Sequence, residues 1–154
     1  WNKKTDLKFR IDVASMGKLG FDIDLSQLSE ADWRFCREVV ARYRELKPVI
    51  FDGDVYRLLS PYESQHAAVN VVDKARNRAV LFTYNLHPRY AENLRPVRLQ
   101  GLAPDRQYLV EEINLRSGTR GLNTTLSGDY LMKVGLQVLR ADEGTSRVFR
   151  LTAR

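Results

Sequence analysis

The sequence predicts a mainly β protein: a C-terminal antiparallel β-sandwich preceded by one strand, a loop and one helix. Three observations carry that prediction. Leu7, Phe9, Ile11 and Val13 alternate with Lys8, Arg10 and Asp12, which is the period of a half-buried strand. A single long helical stripe follows, between Ser29 and Pro48. Beyond Pro48 no second such stripe occurs, and short apolar or alternating runs recur between turn signals, as in an antiparallel sandwich.

After the strand, Met16-Gly17-Lys18-Leu19-Gly20-Phe21 reads as a loop whose two glycines permit positive φ or close backbone approach. Ser29-Glu30-Ala31-Asp32 resembles a capping box, with Asp in place of the usual Glu or Gln. Trp33, Cys36, Val40 and Tyr43 then recur at spacings of three and four, widened by Phe35, Val39 and Leu46 into one broad buried face. Pro48 marks the expected end of the helix. The change of pattern places a domain boundary there, giving residues 1–48 and 49–154.

Strands are expected at Val55–Leu59, Ala67–Val72, Ala79–Leu86, Val97–Leu99, Tyr108–Ile113, Leu131–Leu139 and Arg147–Thr152. Asp73–Asn77, Gly101–Asp105 and Asp142–Ser146 supply turn chemistry between them. Ala79–Tyr84 is apolar on both faces, which places it mid-sheet. Arg116–Leu126, rich in Gly, Thr and Ser, is the expected mobile loop.

The opening strand has no sheet of its own if the chain is complete. A strand followed by a helix is the repeating unit of a (β/α)8 barrel, in which the loop after each strand faces the active site. Residues 1–48 therefore read as a strand-loop-helix remnant of such a barrel. The start at Trp1 rather than Met points the same way, to a piece of a longer chain.

At 154 residues the chain holds one domain with a real core, or a small domain plus a fragment of a neighbour. No apolar run is long enough for a signal peptide or a membrane span, so no membrane partner is expected. Cys36 is the only cysteine, which excludes an internal disulfide and a multi-cysteine zinc site and is compatible with a reducing, cytoplasmic compartment. The net charge of +6 is dispersed. Arg34, Arg37, Arg42 and Arg44 alternate with Glu30, Asp32, Glu38 and Glu45, the pattern of a solvated helix face. With no basic stripe interleaved with aromatics, no nucleic-acid partner is expected.

Asp12, Asp22, Asp24, Asp52, Asp54, Glu111 and Glu112 are the acids to weigh for chemistry. Asp52-Gly53-Asp54 reads more simply as a turn. Glu111 and Glu112, adjacent on a strand, point to opposite faces and cannot act as a pair on one bond. Neither Asp22 with Asp24 nor Asp52 with Asp54 matches a calcium loop, and His66 and His87 lie far apart without a zinc pattern. Ser60 lacks a nucleophile-elbow context, Cys36 falls in the helix's apolar stripe, and Gly17 and Gly20 lack phosphate-loop spacing. No cofactor or metal is expected.

Phe9-Arg10-Ile11-Asp12-Val13-Ala14-Ser15-Met16-Gly17-Lys18-Leu19-Gly20-Phe21-Asp22-Ile23-Asp24-Leu25 resembles the end of the catalytic barrel in glycoside hydrolase family 36 α-galactosidases. Gly53-Asp54-Val55-Tyr56-Arg57-Leu58-Leu59-Ser60-Pro61 resembles that family's link from the barrel to its C-terminal β domain. Leu99–Leu102, Glu112-Ile113-Asn114, Ser127–Met132 and Gly135-Leu136 are similar to segments within that domain, in the same order. The resemblance implies a larger enzyme that hydrolyses terminal α-galactosides with retention, using two carboxylates about 5–5.5 Å apart on earlier barrel strands. It carries no catalytic residue onto this chain. What it implies here is a non-catalytic C-terminal fragment, inactive alone, whose β domain buttresses the upstream barrel, with a homo-oligomer as the expected assembly. Met16, Gly17 and Lys18, on the barrel-end loop, are the substrate-binding candidates.

The alternative is an independent carbohydrate-binding module, carried by Trp33, Tyr56, Tyr62, Tyr84, Tyr90, Tyr108 and Tyr130. Most of these lie in core-type runs where aromatics are ordinarily buried, which leaves Tyr62 and Tyr90 as the exposed candidates.

Overall fold

The structure is a computed structural model and describes residues 5–22, 24–89 and 93–154. In chain order it comprises α1 (Leu7–Ala14), a 3-10 turn (Leu25–Gln27), α2 (Glu30–Asp52), β1 (Asp54–Leu59), β2 (His66–Val72), β3 (Arg78–Asn85), β4 (Gln107–Ile113), β5 (Asn123–Ser127), α3 (Gly128–Lys133) and β6 (Thr145–Ala153). Among the described residues the strands form one antiparallel six-stranded sheet in the order β1-β2-β3-β6-β4-β5. The mainly β, antiparallel class is the one the sequence predicts. The last strand, β6, inserts between β3 and β4, with Phe82 opposite Val148 and Val110 opposite Leu151.

β3 lies inside the sheet and is buried from Ala79 to Asn85, as its apolar pattern on both faces requires. The turn leading into it is closed by Asp73, whose carboxylate accepts the Asn77 N–H at 2.8 Å, with Arg76 at positive φ. One face packs Ala68, Val72, Leu81, Tyr108, Phe149 and Leu151 beneath Val97, Leu99, Leu102, Leu131, Leu136 and Val138. The layer over this face is made of loop segments and α3 rather than of a second sheet. On the other face Val80, Phe82, Tyr84, Ile113 and Val148 receive Leu46, Val49 and Ile50 of α2. Phe9 of α1 meets Tyr84 edge-on, ring centroids 5.7 Å apart. A third cluster, Ile11 with Phe35, Cys36 and Val39, joins α1 to α2.

Leu7–Val13 is helix, not strand. The sheet's edges are β1 and β5, and α1 lies instead against β6, where Lys8 reaches the Ser146 carbonyl at 2.7 Å. A solitary strand there would leave its N–H and C=O groups unpaired, whereas a helix satisfies most of them internally. Helical spacing also lets Lys8 and Asp12, four apart, pair at 2.5 Å.

Pro48 does not end α2, which runs on to Asp52. Its ring is exposed, while Val49 and Ile50 just beyond are buried against the sheet and hold the helix past it. The expected strand Val97–Leu99 reduces to one bridge, Val97 with Leu136. The expected strand Leu131–Leu139 is split: α3 takes its start, Gly135 at φ 93 breaks it, and Leu136, Val138 and Leu139 cap the sheet face. Conversely, Asn123–Leu126 of the expected mobile loop belong to β5, where Thr124 and Thr125, β-branched and suited to a strand, pair with Val110 and Leu109.

The N-terminal cap of α2 forms as its sequence implies, Ser29 Oγ accepting from Asp32 N at 3.1 Å. Its buried face, however, is Phe35, Cys36, Val39, Leu46, Val49 and Ile50, which leaves Trp33 39% exposed at the edge of the stripe. At the junction of α2 with β1, a Cβ on Gly53 would stand 2.4 Å from the Val49 carbonyl oxygen and 2.7 Å from that of Val72. Only glycine lets the two elements meet there.

Candidate functional site

The loop after α1 begins with a turn, Met16 N and Gly17 N donating to Val13 O at 3.3 Å and Ala14 O at 3.2 Å. It is then held from α2 by Tyr43, whose hydroxyl donates to Gly17 O at 2.6 Å and accepts from Leu19 N at 3.2 Å. Met16 and Lys18 are exposed and Gly17 is half-buried. Because α1 is a helix, this loop does not follow a strand within the chain. Gly17 and Gly20 have neither positive φ nor any heavy atom within 4 Å of an added Cβ, so the chain's own packing does not require glycine at either position.

Next to the loop the helical segment presents an apolar hollow lined by Phe21, Trp33, Cys36, Val40 and Ala41, flanked by Arg37 and Arg44. Val13, Met16, Phe21 and Trp33 are each 36–41% exposed. This is a continuous stretch of sequence whose apolar side chains are only partly covered by the chain itself. The Cys36 thiol below the hollow is buried, and that burial, aided by Asp32, pushes its pKa up.

The candidate acids do not converge. Asp12 is fully buried, and donors from this chain surround it. Lys8 Nζ (2.5 Å) and Ser146 Oγ (2.7 Å) reach its Oδ2, Asn114 Nδ2 (2.8 Å) its Oδ1, and Tyr84 OH (2.9 Å) its carbonyl. This network ties α1 to β3, β6 and the end of β4. Burial, reinforced by Asp12, raises the Tyr84 phenol pKa. Sequence reasoning missed Asn114, Ser146 and Tyr84 as partners; the only local signal was the four-residue spacing of Lys8 and Asp12.

Glu112 takes two hydrogen bonds from Arg147, at 2.8 and 2.6 Å, and a third from Leu122 N at 3.1 Å. Burial works to raise its pKa, but these bonds outweigh it and hold the carboxyl below its ordinary 4.5. Glu111, on the other side of β4, pairs with Arg150 at 2.9 Å. Asp24 accepts from Ser26 and Gln27, which lower its pKa, and Asp54 pairs with Lys74. Asp22 and Asp52 are exposed.

The remaining candidates are equally local. His66 Nδ1 lies 3.0 Å from Asn85 Oδ1 and His87 Nδ1 2.9 Å from Glu143 Oε1, and the Ser60 hydroxyl accepts Tyr62 N in a turn. Among the described residues no group of three His, Cys, Asp or Glu could hold a metal ion, and no helix is long and apolar enough to cross a membrane. Of the aromatic candidates, Tyr84 and Tyr108 are core and Tyr56 packs against it, Tyr130 is 43% exposed and Tyr62 98%. Tyr90 lies outside the described residues.

The described residues thus assemble no catalytic pair, and likeness to known proteins decides what the chain is part of. Residues 66–151, more than half of the chain, match the glycosyl hydrolase family 36 C-terminal domain. The chain belongs to that family. A relative is the probable α-galactosidase G of Aspergillus terreus, 32% identical over 89% of this chain and 19% of that protein. The crystal structure of the family 36 α-galactosidase AgaB from Geobacillus stearothermophilus superposes with a TM-score of 0.84 at 30% identity, covering 97% of this chain and 19% of that one. A variant of AgaA from the same organism, solved in complex with raffinose, gives 0.84 at 29% identity over 97% and 20%. The chain spans about a fifth of the length of these relatives and matches their C-terminal region.

Proposed function

We propose that this chain is the non-catalytic C-terminal part of a retaining α-galactosidase that acts on terminal α-galactosides. Residues 1–48 complete the catalytic barrel, and residues 49–154 form the β domain that buttresses it. One observation carries this reading: the chain corresponds to a fifth of α-galactosidases, while two of its candidate carboxylates, buried Asp12 and half-buried Glu112, each accept three hydrogen bonds from donors of the chain itself. Asp12 is sealed from solvent and Arg147 holds both oxygens of Glu112, so neither carboxylate is presented to a glycosidic bond. The retaining mechanism needs two carboxylates about 5–5.5 Å apart on either side of that bond. The partly exposed Val13, Met16, Phe21 and Trp33 support a barrel seated on the helical segment. Met16, Gly17 and Lys18 are the part of this chain that reaches the sugar: the loop is exposed, held at its base, and sterically open at Gly17.

The test is hydrolysis of p-nitrophenyl α-galactoside by the purified chain, with the full-length parent as positive control. The chain is expected to be inactive beside an active parent. Turnover by the chain alone would mean that its own acids form a site.

A further inference from the structure

We infer that Tyr43 is a positioning residue, reaching from α2 to set the Gly17–Leu19 backbone so that Lys18 meets the galactoside; this rests on the sugar contact proposed above for that loop. A phenol has one hydrogen to give and lone pairs to receive. Tyr43 uses both on the two residues flanking Lys18, donating to Gly17 O at 2.6 Å and accepting from Leu19 N at 3.2 Å. A single oxygen therefore holds the Lys18 Cα from both sides.

The anchor is itself well founded. Tyr43 packs against the cluster formed by Leu46, Val49, Val80, Phe82, Ile113 and Val148, so its ring is backed by α2 and the sheet. The loop by contrast is packed only at its far side, where Leu19 meets the cluster of Ile11, Phe35, Cys36 and Val39. Nothing lies within 4 Å of a Cβ built at Gly17 or Gly20, and glycine loses the most conformational freedom when a backbone is fixed. With packing absent at those two glycines, the two Tyr43 hydrogen bonds add a directional restraint on the backbone around Lys18 beside the packing of Leu19. The residue so presented has the right chemistry for a sugar, because an exposed lysine ammonium offers three donors and no acceptor, which complements the oxygen atoms of the ring and its hydroxyls.

The experiment compares Lys18→Ala, Tyr43→Phe and the double variant in the full-length parent, by steady-state kinetics on p-nitrophenyl α-galactoside and by Tm. Phenylalanine keeps the packed ring and removes only the bridging oxygen. Each single change is expected to raise KM about three- to tenfold with kcat nearly unchanged, the range of one lost hydrogen bond. The double variant is expected to be no worse than Lys18→Ala alone, because Tyr43 acts through Lys18. In the isolated chain, Tyr43→Phe should accelerate hydrogen exchange of the Leu19 amide several-fold while sheet amides keep their rates.

If Lys18→Ala raises KM and Tyr43→Phe does not, or if the two effects multiply in the double variant, the positioning role is overturned and the sugar contact stands. A Tyr43→Phe variant whose only change is a lower Tm overturns it as well. If Lys18→Ala leaves KM unchanged, the sugar contact itself fails and the positioning role fails with it.

Discussion

The sheet and the helical segment before it solve the burial problem to different extents. In the sheet, β3 is buried along Ala79–Asn85, between α2 on one face and capping loops on the other, and Tyr108, Phe149 and Leu151 are closed off completely. In the helical segment Ile11, Phe35, Cys36 and Val39 form a small cluster, yet Val13, Met16, Phe21 and Trp33 stay 36–41% exposed on the same stretch of chain. The sheet is covered by α2 on one face and by capping loops and α3 on the other, with Val55 of the edge strand β1 left 58% exposed. The helical segment is covered on one side only, by that sheet. That half-burial is what supports the proposal of an upstream barrel seated against this segment.

The comparison is broken most directly at Asp12, the buried link between the two regions. Asp12→Ala leaves the Lys8 ammonium without its carboxylate and removes the acceptor for Asn114 and Ser146. Removing one partner of a buried ion pair costs about 3–5 kcal/mol. Urea denaturation of the chain should show a loss of that size, together with faster amide exchange in α1. A loss below about 1 kcal/mol would mean that α1 is held by its apolar contacts alone.

Pro48→Ala sharpens the comparison in the opposite direction. A proline inside a helix is about 3 kcal/mol less favourable than alanine, while its restriction of the unfolded chain returns about 0.4–1 kcal/mol. Because Pro48 is exposed and α2 continues unbroken to Asp52, alanine should stabilise the chain by roughly 1–3 kcal/mol. Since α2 packs on the sheet through Leu46, Val49 and Ile50, the gain should appear as a shift of the main urea transition rather than as a separate phase. An unchanged midpoint would show that the carbonyl facing Pro48 is fully satisfied by solvent.

The two regions also differ in how far their sequence could be read. β1 to β4 and β6 were legible because an alternating or doubly apolar run, bounded by Asp, Asn and Gly, matches the strand it forms. Leu131–Leu139 misled because its leucines and valines are a lid on the sheet, and burial alone does not distinguish a lid from a strand. α1 misled for a stronger reason: Leu7, Phe9, Ile11 and Val13 alternate perfectly, but a strand needs a neighbour and this segment lies against a sheet face instead of an edge. The polar partners of Asp12 come from positions 102 and 134 residues away, a distance over which no local pattern operates. At residues 16–21 the loop itself was legible from its glycines, whereas their lack of any packing demand and the hold exerted by Tyr43 from 26 residues away were not.

The smallest effect in the isolated chain is expected at Trp33, and its smallness is what makes it informative. Trp33 is 39% exposed on the rim of the hollow, and serine has a similar helix propensity, so Trp33→Ser should cost the isolated chain only the part of the side chain it already covers, about 1 kcal/mol. If the proposed barrel covers this face in the full-length parent, the same change removes a large aromatic from a filled interface there, and removal of a buried Trp costs about 3–5 kcal/mol. The difference between the two Tm shifts therefore measures how far the upstream chain covers this face. Equal small shifts in both would mean that the hollow stays open to solvent in the whole enzyme, and that the helical segment docks elsewhere. A large loss in the isolated chain would instead assign Trp33 to the chain's own core and remove the asymmetry between the two regions.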